Sequence, residues 1–152
     1  MSKILVAYFS KTGITAKAAA QIAKITGGEL FEIKTEKKYP SSYWATVAAA
    51  KIEHFKKELP ILQNKVENMD KYDTVFLGFP IWWFTCPNAV YSFLDAYDFE
   101  GKTILPFCTH GGSGPLHTAK DIRERCPEAL VKETFDFSKN STSSLEDFCK
   151  NG

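Results

Sequence analysis

The chain has 152 residues, of which 44% are hydrophobic and 24% charged, and its formal net charge is +1. This balance excludes intrinsic disorder, a collagen-like repeat and a coiled coil. The near-zero charge argues against a protein that binds nucleic acid through a basic face. One domain spanning residues 1–152 is expected, because a chain of this size buries enough apolar surface to fold without a metal or a disulfide.

The four cysteines are widely spaced and form no C-x-x-C pair, so the sequence indicates neither a zinc site nor a dithiol redox motif. We expect buried free thiols and no bound metal. The longest apolar runs fall short of the about 20 residues that a membrane span needs, and the N-terminus shows no signal peptide. A soluble cytoplasmic protein, without a membrane or nucleic-acid partner, is therefore expected.

Strand-like and helix-like segments alternate along the first half of the chain. The continuous apolar run from Ile4 to Phe9 is typical of a strand buried on both faces. Small apolar residues recur at helical spacing from Ile14 to Ile25, and two glycines end that helix. A short strand is predicted from Leu30 to Ile33. Ser41 or Ser42 then caps a helix that runs to about Lys57.

The second half of the chain continues this alternation. Its predicted elements are, in chain order, a strand from Thr74 to Phe79, a helix opening at Pro87, a strand from Thr103 to Cys108, a helix from about Pro115 to Arg125, a strand from Ala129 to Phe137, and a terminal helix opened by the capping box Ser143 to Glu146. Five strands separated by helices predict right-handed crossovers and a parallel α/β sheet covered on both faces. Ligands bind such sheets at the carboxyl ends of the strands, which is where three unusual loops fall.

The first loop runs from Ser10 to Thr15 and joins the first strand to a helix. Its three hydroxyl groups and its backbone N–H groups at a helix N-terminus are suited to a phosphate. The positions of its glycine and of Lys11 match neither the P-loop nor the dinucleotide fingerprint, which weighs against a nucleoside triphosphate and a dinucleotide. Simple helix capping is the alternative interpretation, and Lys11 is expected to face water.

The second loop places three consecutive aromatic residues, Trp82, Trp83 and Phe84, between Pro80 and Pro87. Leaving these rings in water is unfavourable, so they are expected to cover either a flat ligand or the core. Successive side chains of an extended segment point in opposite directions. The two tryptophans are therefore not expected to stack on the same face of a ligand.

The third loop, Thr109 to Gly114, is rich in glycine, so its backbone can approach a ligand closely and offer N–H donors. It also contains His110. The other two histidines, His54 and His117, fall in predicted helices, whereas His110 follows a strand at the ligand edge. This placement makes His110 the candidate catalytic residue.

Together, a phosphate site, an aromatic wall and a donor loop suit a ligand with a phosphate tail and a large planar head, such as flavin mononucleotide (FMN). Along essentially its whole length the chain resembles the flavodoxin family, on the segments K-I-L-V-A-Y-F-S-K-T-G-I-T, V-F-L-G-F-P-I-W-W and C-T-H-G-G-S-G. The resemblance implies a flavodoxin-like three-layer α/β sandwich. Its five-stranded parallel sheet would have the order 2-1-3-4-5, with helices on both faces.

The resemblance also implies how FMN would be held. The first loop would bind the phosphate, the second would lie beside the isoalloxazine ring, and the third would contact its pyrimidine edge. The candidate cofactor-binding residues are Ser10, Lys11, Thr12, Gly13, Ile14, Thr15, Pro80, Ile81, Trp82, Trp83, Phe84, Thr109, His110, Gly111 and Gly112.

Three functions are consistent with the sequence. The first is an electron carrier that docks with redox partner proteins. The second is a small FMN-dependent reductase that takes hydride from NAD(P)H and passes it to a quinone or a similar acceptor, with His110 stabilising charge or passing a proton. The third is a cofactor-free binding module. A receiver domain is not favoured, because Ser10, Lys11 and Pro80 stand where its acidic residues would be.

Three departures from the family pattern bear on the choice between carrier and reductase. Carriers of the family are typically acidic, whereas this chain is near neutral. The charge is unevenly divided, because residues 1–76 carry 12 basic and 8 acidic residues whereas residues 77–152 carry 7 basic and 10 acidic ones. The second loop has no glycine between its prolines, and the third loop has no aromatic residue. One face of a bound flavin would then be open to a nicotinamide or a quinone.

Overall fold

The computed structural model describes residues 3–11, 13–35, 59–82, 85–110, 112–137 and 142–150. The strands within these residues are β1 (Ile4–Tyr8), β2 (Glu29–Glu32), β3 (Thr74–Pro80), β4 (Thr103–Thr109), β5 (Leu130–Val131) and β6 (Phe135–Asp136). The α-helices are α1 (Ile14–Thr26), α2 (Asn88–Ala96), α3 (Thr118–Arg125) and α4 (Thr142–Lys150). A short 3₁₀ turn, Met69–Lys71, precedes β3. The predicted helix from Ser41 or Ser42 to Lys57 lies outside the described residues.

The strands form one sheet in the order β2-β1-β3-β4-β5, and each pair of neighbouring strands is parallel. Leu5 in β1 lies opposite Glu29 in β2 on one side and Val75 in β3 on the other. The predicted fold class and the strand order 2-1-3-4-5 are confirmed. Among the helices that the structure describes, none is both long enough and apolar enough to cross a membrane.

The last predicted strand, Ala129 to Phe137, is wrong as a continuous element. It is divided into β5 and β6, which both pair with β4. Residues 132–134 between them belong to neither strand, and the hydroxyl oxygen of Thr134 lies 2.8 Å from that of Thr118 at the start of α3. This contact joins residues 16 positions apart, so a local sequence pattern does not reveal it.

Two apolar layers explain the continuous hydrophobic runs of the strands. Successive strand residues point to opposite faces of a sheet, so Leu5 and Val6 enter different clusters. Helices α1 and α4 cover one face, where Ile22 and Phe148 pack on strand residues. Helices α2 and α3 cover the other face and bury residues such as Phe93. Helices therefore lie on both faces, as the sequence predicted.

The helix boundaries differ from the predictions in three places. Helix α2 begins immediately after Pro87, one residue later than predicted. Helix α3 begins at Thr118 and not near Pro115, because Leu116 has a φ of 53°, which is incompatible with a right-handed helix. Helix α4 spans Thr142–Lys150, so it begins one residue before Ser143, which was predicted to open it. The end of α1 at Gly27 is confirmed; this glycine has a φ of 76° and donates to Ala23.

Candidate functional site

The three loops singled out in the sequence follow β1, β3 and β4, so they start at the same edge of the sheet. Backbone hydrogen bonds hold their first residues together. The N–H of Phe9 donates to the carbonyl of Gly78 at 2.9 Å, and the N–H of Ile81 donates to the carbonyl of Thr109 at 3.0 Å. Pro80 lies opposite Thr109 in the sheet. The edge is therefore one continuous surface built from adjacent strand ends.

The first loop turns sharply at Gly13, which precedes α1. The N–H of Gly13 donates to the hydroxyl oxygen of Ser10 at 3.1 Å. The carbonyl of Gly13 accepts from the backbone N–H of Lys17 at 3.0 Å. Gly13 has a φ of 92°, a conformation that L side chains rarely adopt, although a Cβ atom there would meet nothing within 4 Å. The turn thus requires glycine for its conformation and leaves open space beside the loop.

The first turn of α1 presents backbone donors to this space. In an α-helix the first N–H groups have no partner within the helix, and the helix dipole favours an anion there. Ile14, the first helical residue, is 58% exposed, and Lys11 is also exposed. Thr12 lies outside the described residues. The arrangement is chemically suited to a phosphate group.

The first and third loops are joined by two buried threonines. Thr15 is only 2% exposed, and its hydroxyl oxygen lies 2.9 Å from the hydroxyl oxygen of Thr109. β3 separates the strands that lead to these two residues. The hydroxyl of Thr15 therefore orients the start of α1 relative to the end of β4, in addition to its predicted place in the phosphate loop.

The second loop keeps Trp82 against the protein. Its ring meets the ring of Phe9 edge-on, with centroids 5.5 Å apart, and the half-buried Trp82 also packs on the core. The backbones of Trp82 and Thr85 exchange two hydrogen bonds, of 3.0 and 3.2 Å. Trp83 and Phe84, between them, lie outside the described residues. The structure therefore describes the aromatic wall for Trp82 alone, and this ring packs edge-on against Phe9.

Thr85 ties this loop to two helices. Its hydroxyl donates to a carboxylate oxygen of Asp121 at 2.8 Å, so its oxygen accepts from the hydroxyl of Tyr91 at 2.7 Å. Burial raises the pKa of the Tyr91 phenol, which keeps it protonated as a donor. Sequence reasoning missed all three residues, because Asp121 and Tyr91 read as ordinary residues of amphipathic helices.

His110 is enclosed by its own hydrogen bonds. Its side chain is 3% exposed, Nε2 lies 2.8 Å from Oδ1 of Asp136, and Nδ1 accepts from the N–H of Gly112 at 2.9 Å. Because a backbone N–H only donates, Nδ1 carries no proton in this arrangement, and Nε2–H donates to Asp136. A catalytic role for His110 stays a prediction. Gly111 lies outside the described residues.

Asp136 was missed in the sequence, where it reads as one polar residue of an edge strand. It reaches the site because Cys108 of β4 lies opposite Asp136 of β6. The expected buried free thiols are confirmed for all four cysteines. Burial and the nearby charge of Asp136 raise the pKa of the Cys108 thiol to about 12, so this sulfur is not a nucleophile at neutral pH.

A cavity of about 220 Å³ lies at the other edge of the sheet, beside the loops that lead into β4 and β5. The carboxylate oxygens of Asp98, Glu100 and Glu128 lie within 4.8 Å of one another at this cavity, and all three residues are exposed. Among the residues that the structure describes, none of the three loops lines this cavity. The candidate site is therefore the open surface formed by the loops at the carboxyl edge.

Known proteins share this fold. A family model described as Flavodoxin matches residues 3–151. A flavoprotein candidate from Bacteroides eggerthii DSM 20697 has 33% sequence identity and a TM-score of 0.89, and the match covers 99% of this chain and 98% of that one. A second, from Bacteroides uniformis ATCC 8492, has 34% identity and a TM-score of 0.88, with 98% of both chains covered.

A flavoprotein from Lactobacillus acidophilus NCFM, solved in complex with FMN, has 21% identity and a TM-score of 0.81. That match covers 97% of this chain and 99% of the other, and at this identity it shows a shared fold. No curated protein sequence matches the chain significantly.

Proposed function

Because the chain belongs to the flavodoxin family, we propose that it binds FMN non-covalently and transfers electrons through it. The observation that carries this proposal is the hydrogen bond between Thr15 and Thr109. It joins a loop suited to phosphate to a loop rich in backbone donors, at the edge where the aromatic segment begins. A ligand with a phosphate at one end and a planar ring at the other matches that layout.

The phosphate end of FMN fits the first loop. Ser10 and the first-turn N–H groups of Ile14 and Thr15 would hold the phosphate, and Gly13 keeps the approach open. Thr12 is expected to add a hydroxyl. Backbone donors at a helix N-terminus can bind a dianion without a lysine side chain, so the phosphate contact does not depend on Lys11, which is exposed.

The ring end of FMN fits the second and third loops. Trp82 offers a planar apolar surface that is already supported by Phe9, so its burial against a ligand needs little rearrangement. The hydrogen bond from Ile81 to Thr109 keeps these two loops side by side. Bound FMN supplies the redox chemistry, since its isoalloxazine ring accepts and releases one or two electrons. The Lactobacillus acidophilus complex supports the choice of FMN.

A second candidate function is an NAD(P)H-dependent reductase that passes hydride to a quinone or a similar acceptor. It is favoured by one observation, that residues 109–114 contain no Phe, Tyr or Trp and that the imidazole of His110 is turned onto Asp136 and Gly112. The third loop therefore offers no large ring to cover the flavin, which leaves room for a nicotinamide to stack. A carrier would instead use the exposed edge to dock with redox partner proteins, aided by the acidic residues of the second half of the chain.

The visible spectrum of the purified protein, recorded with and without added FMN, tests the cofactor. A flavin spectrum that is perturbed from free FMN is expected, whereas protein that binds no FMN would refute the proposal and leave a cofactor-free binding module. Anaerobic titration and stopped-flow mixing with NADH and NADPH then separate the two redox functions. Reduction of the bound flavin in two resolved one-electron steps, together with slow reaction with both nucleotides, would support the carrier. Rapid bleaching by either nucleotide supports the reductase.

A further inference from the structure

We propose that Asp136 and His110 are positioning residues that fix the course of the third loop by holding one imidazole tautomer. The proposal rests on the proposed FMN site, because this loop is the one expected at the pyrimidine edge of the ring. Two hydrogen bonds link three groups: the carboxylate of Asp136, the imidazole of His110 and the backbone N–H of Gly112. This hydrogen-bonded series leads from β6 into the loop.

Only one state of the imidazole satisfies both neighbours. With the proton on Nε2, the ring donates to Asp136 and Nδ1 accepts from Gly112. With the proton on Nδ1, two donors face each other at Gly112, and the lone pair of Nε2 faces the carboxylate. The imidazolium ion keeps the contact with Asp136 but also brings two donors together at Gly112. Asp136 therefore selects the Nε2–H tautomer, and that tautomer holds the loop.

This arrangement decides which way one peptide of the loop faces. Gly112 has a φ of 133°, a conformation that L side chains rarely adopt, and its N–H is turned back onto His110. The same N–H cannot at once serve a ligand. The imidazole is itself 3% exposed and directs its nitrogens at protein atoms. His110 then acts on a bound flavin through the loop and not by contact with it.

Two matched substitutions of His110 test the acceptor at Nδ1. The side-chain oxygen of Asn takes the approximate position of Nδ1, whereas the amide of Gln reaches the position of Nε2. We expect His110→Asn to bind FMN within about threefold of the unsubstituted protein, and His110→Gln to bind it about tenfold more weakly, because only Asn keeps an acceptor for Gly112. Both variants lose the ring and are similar in size. Equal affinities would overturn the proposal.

The tautomer can be read without FMN. Nitrogen-15 NMR of the apo protein should show His110 protonated at Nε2 and bare at Nδ1. Asp136→Ala should give a mixture of tautomers, with faster hydrogen exchange at the Gly112 amide. The proposal would be overturned if His110 of the unsubstituted protein carried its proton on Nδ1, or if Asp136→Ala left the tautomer of His110 unchanged. If the unsubstituted protein binds no FMN, the proposed function fails, whereas these spectra still test the positioning role of Asp136 and His110. They do so even if the His110 variants fail to fold.

Discussion

The hydroxyl oxygens of Thr15 and Thr109 lie 2.9 Å apart, although these residues are 94 positions apart in the chain. Both side chains are buried, so each hydroxyl depends on the other to replace its contacts with water. The bond links the first turn of α1 to the end of β4, which are the elements that carry the first and third loops. The geometry of the candidate site thus depends on one buried contact that belongs to the core.

Replacement of Thr109 by Val should therefore lower the free energy of unfolding by about 1 to 2 kcal/mol, because it leaves the Thr15 hydroxyl buried without this partner. Thr109→Ser keeps the hydroxyl and serves as the control. Urea unfolding of the apo protein measures both. In a double-mutant cycle, Thr15→Val combined with Thr109→Val should cost less than the sum of the two changes. Additive costs would show that the hydroxyls do not stabilise each other.

Thr85 should be sensitive to loss of its hydroxyl and tolerant of Ser. Thr85→Val removes the donor to Asp121 and the acceptor for Tyr91, so the loop that carries Trp82 loses its attachment to α2 and α3. We expect a loss of stability of about 1 to 3 kcal/mol, together with weaker FMN binding. Thr85→Ser should restore both in denaturant unfolding and fluorescence titration. Equal stability and equal FMN affinity of the Val and Ser variants would show that the hydrogen bonds of the Thr85 hydroxyl do not hold this loop.

The aromatic wall can be tested by truncation of either tryptophan. Trp82→Ala and Trp83→Ala should each weaken FMN binding by about 1 to 3 kcal/mol through lost burial and stacking. Trp82→Phe keeps a ring against Phe9 and is the control for that position. Isothermal titration calorimetry with FMN gives the affinities. Unchanged affinity in both Ala variants would mean that these rings pack on the core only.

Gly78 should not tolerate a methyl group. It lies opposite Phe107 in the sheet, and a Cβ atom at Gly78 would come within 2.3 Å of the Phe107 ring. Gly78→Ala should cost about 1 to 3 kcal/mol of stability, because the ring must move within a packed core. Combination with Phe107→Leu should recover part of that cost, since Leu leaves space for the methyl group. Thermal unfolding of the single and double variants provides the measurement.

The cysteines should make stability fall at alkaline pH. Burial raises the pKa of the Cys126 thiol to about 11, and that of Cys108 to about 12. The thiols thus keep their protons in the folded protein at pH values where the unfolded chain ionises. Their stabilising effect is complete below the ordinary thiol pKa and is lost as the pH rises toward these folded values.

Urea midpoints at pH 8 and pH 10 test this expectation, with Cys108→Ala as a control that should show a smaller decrease. A thiol-specific reagent at pH 8 should also react slowly with the native protein and rapidly with all four cysteines in guanidinium chloride. Fast reaction of the native protein would show that the thiols are accessible.

The pattern of apolar blocks was sufficient to predict most of the sheet. Strands such as β1 and β3 are buried on both faces, so their sequences are continuous apolar runs that need no tertiary information. The division of the last strand could not be predicted, because it accompanies a hydrogen bond between Thr134 and Thr118. The start of α3 was also misplaced, because nothing in the sequence marks the left-handed conformation of Leu116.

The candidate site could be predicted from the sequence only where its contacts join residues that are close together in the chain. Ser10 and Gly13 are three residues apart, and their contact follows from a loop that meets a helix. The partners of Thr85 and His110 are different, since Asp121 lies 36 positions from the first and Asp136 lies 26 from the second. Such pairs depend on which strands and helices become neighbours. Sequence reasoning therefore found the groups that face a ligand and missed those that hold them in place.

The strand order also has a consequence for the time the chain needs to fold. β1 lies between β2 and β3, and Leu5 must find Val75, nearly half the chain away, before the centre of the sheet exists. Parallel neighbours cannot form as hairpins, so each pairing must close a long loop. We expect β1, α1 and β2 to associate early and the addition of β3 to limit the refolding rate, which makes folding slower than in a helical bundle of the same length.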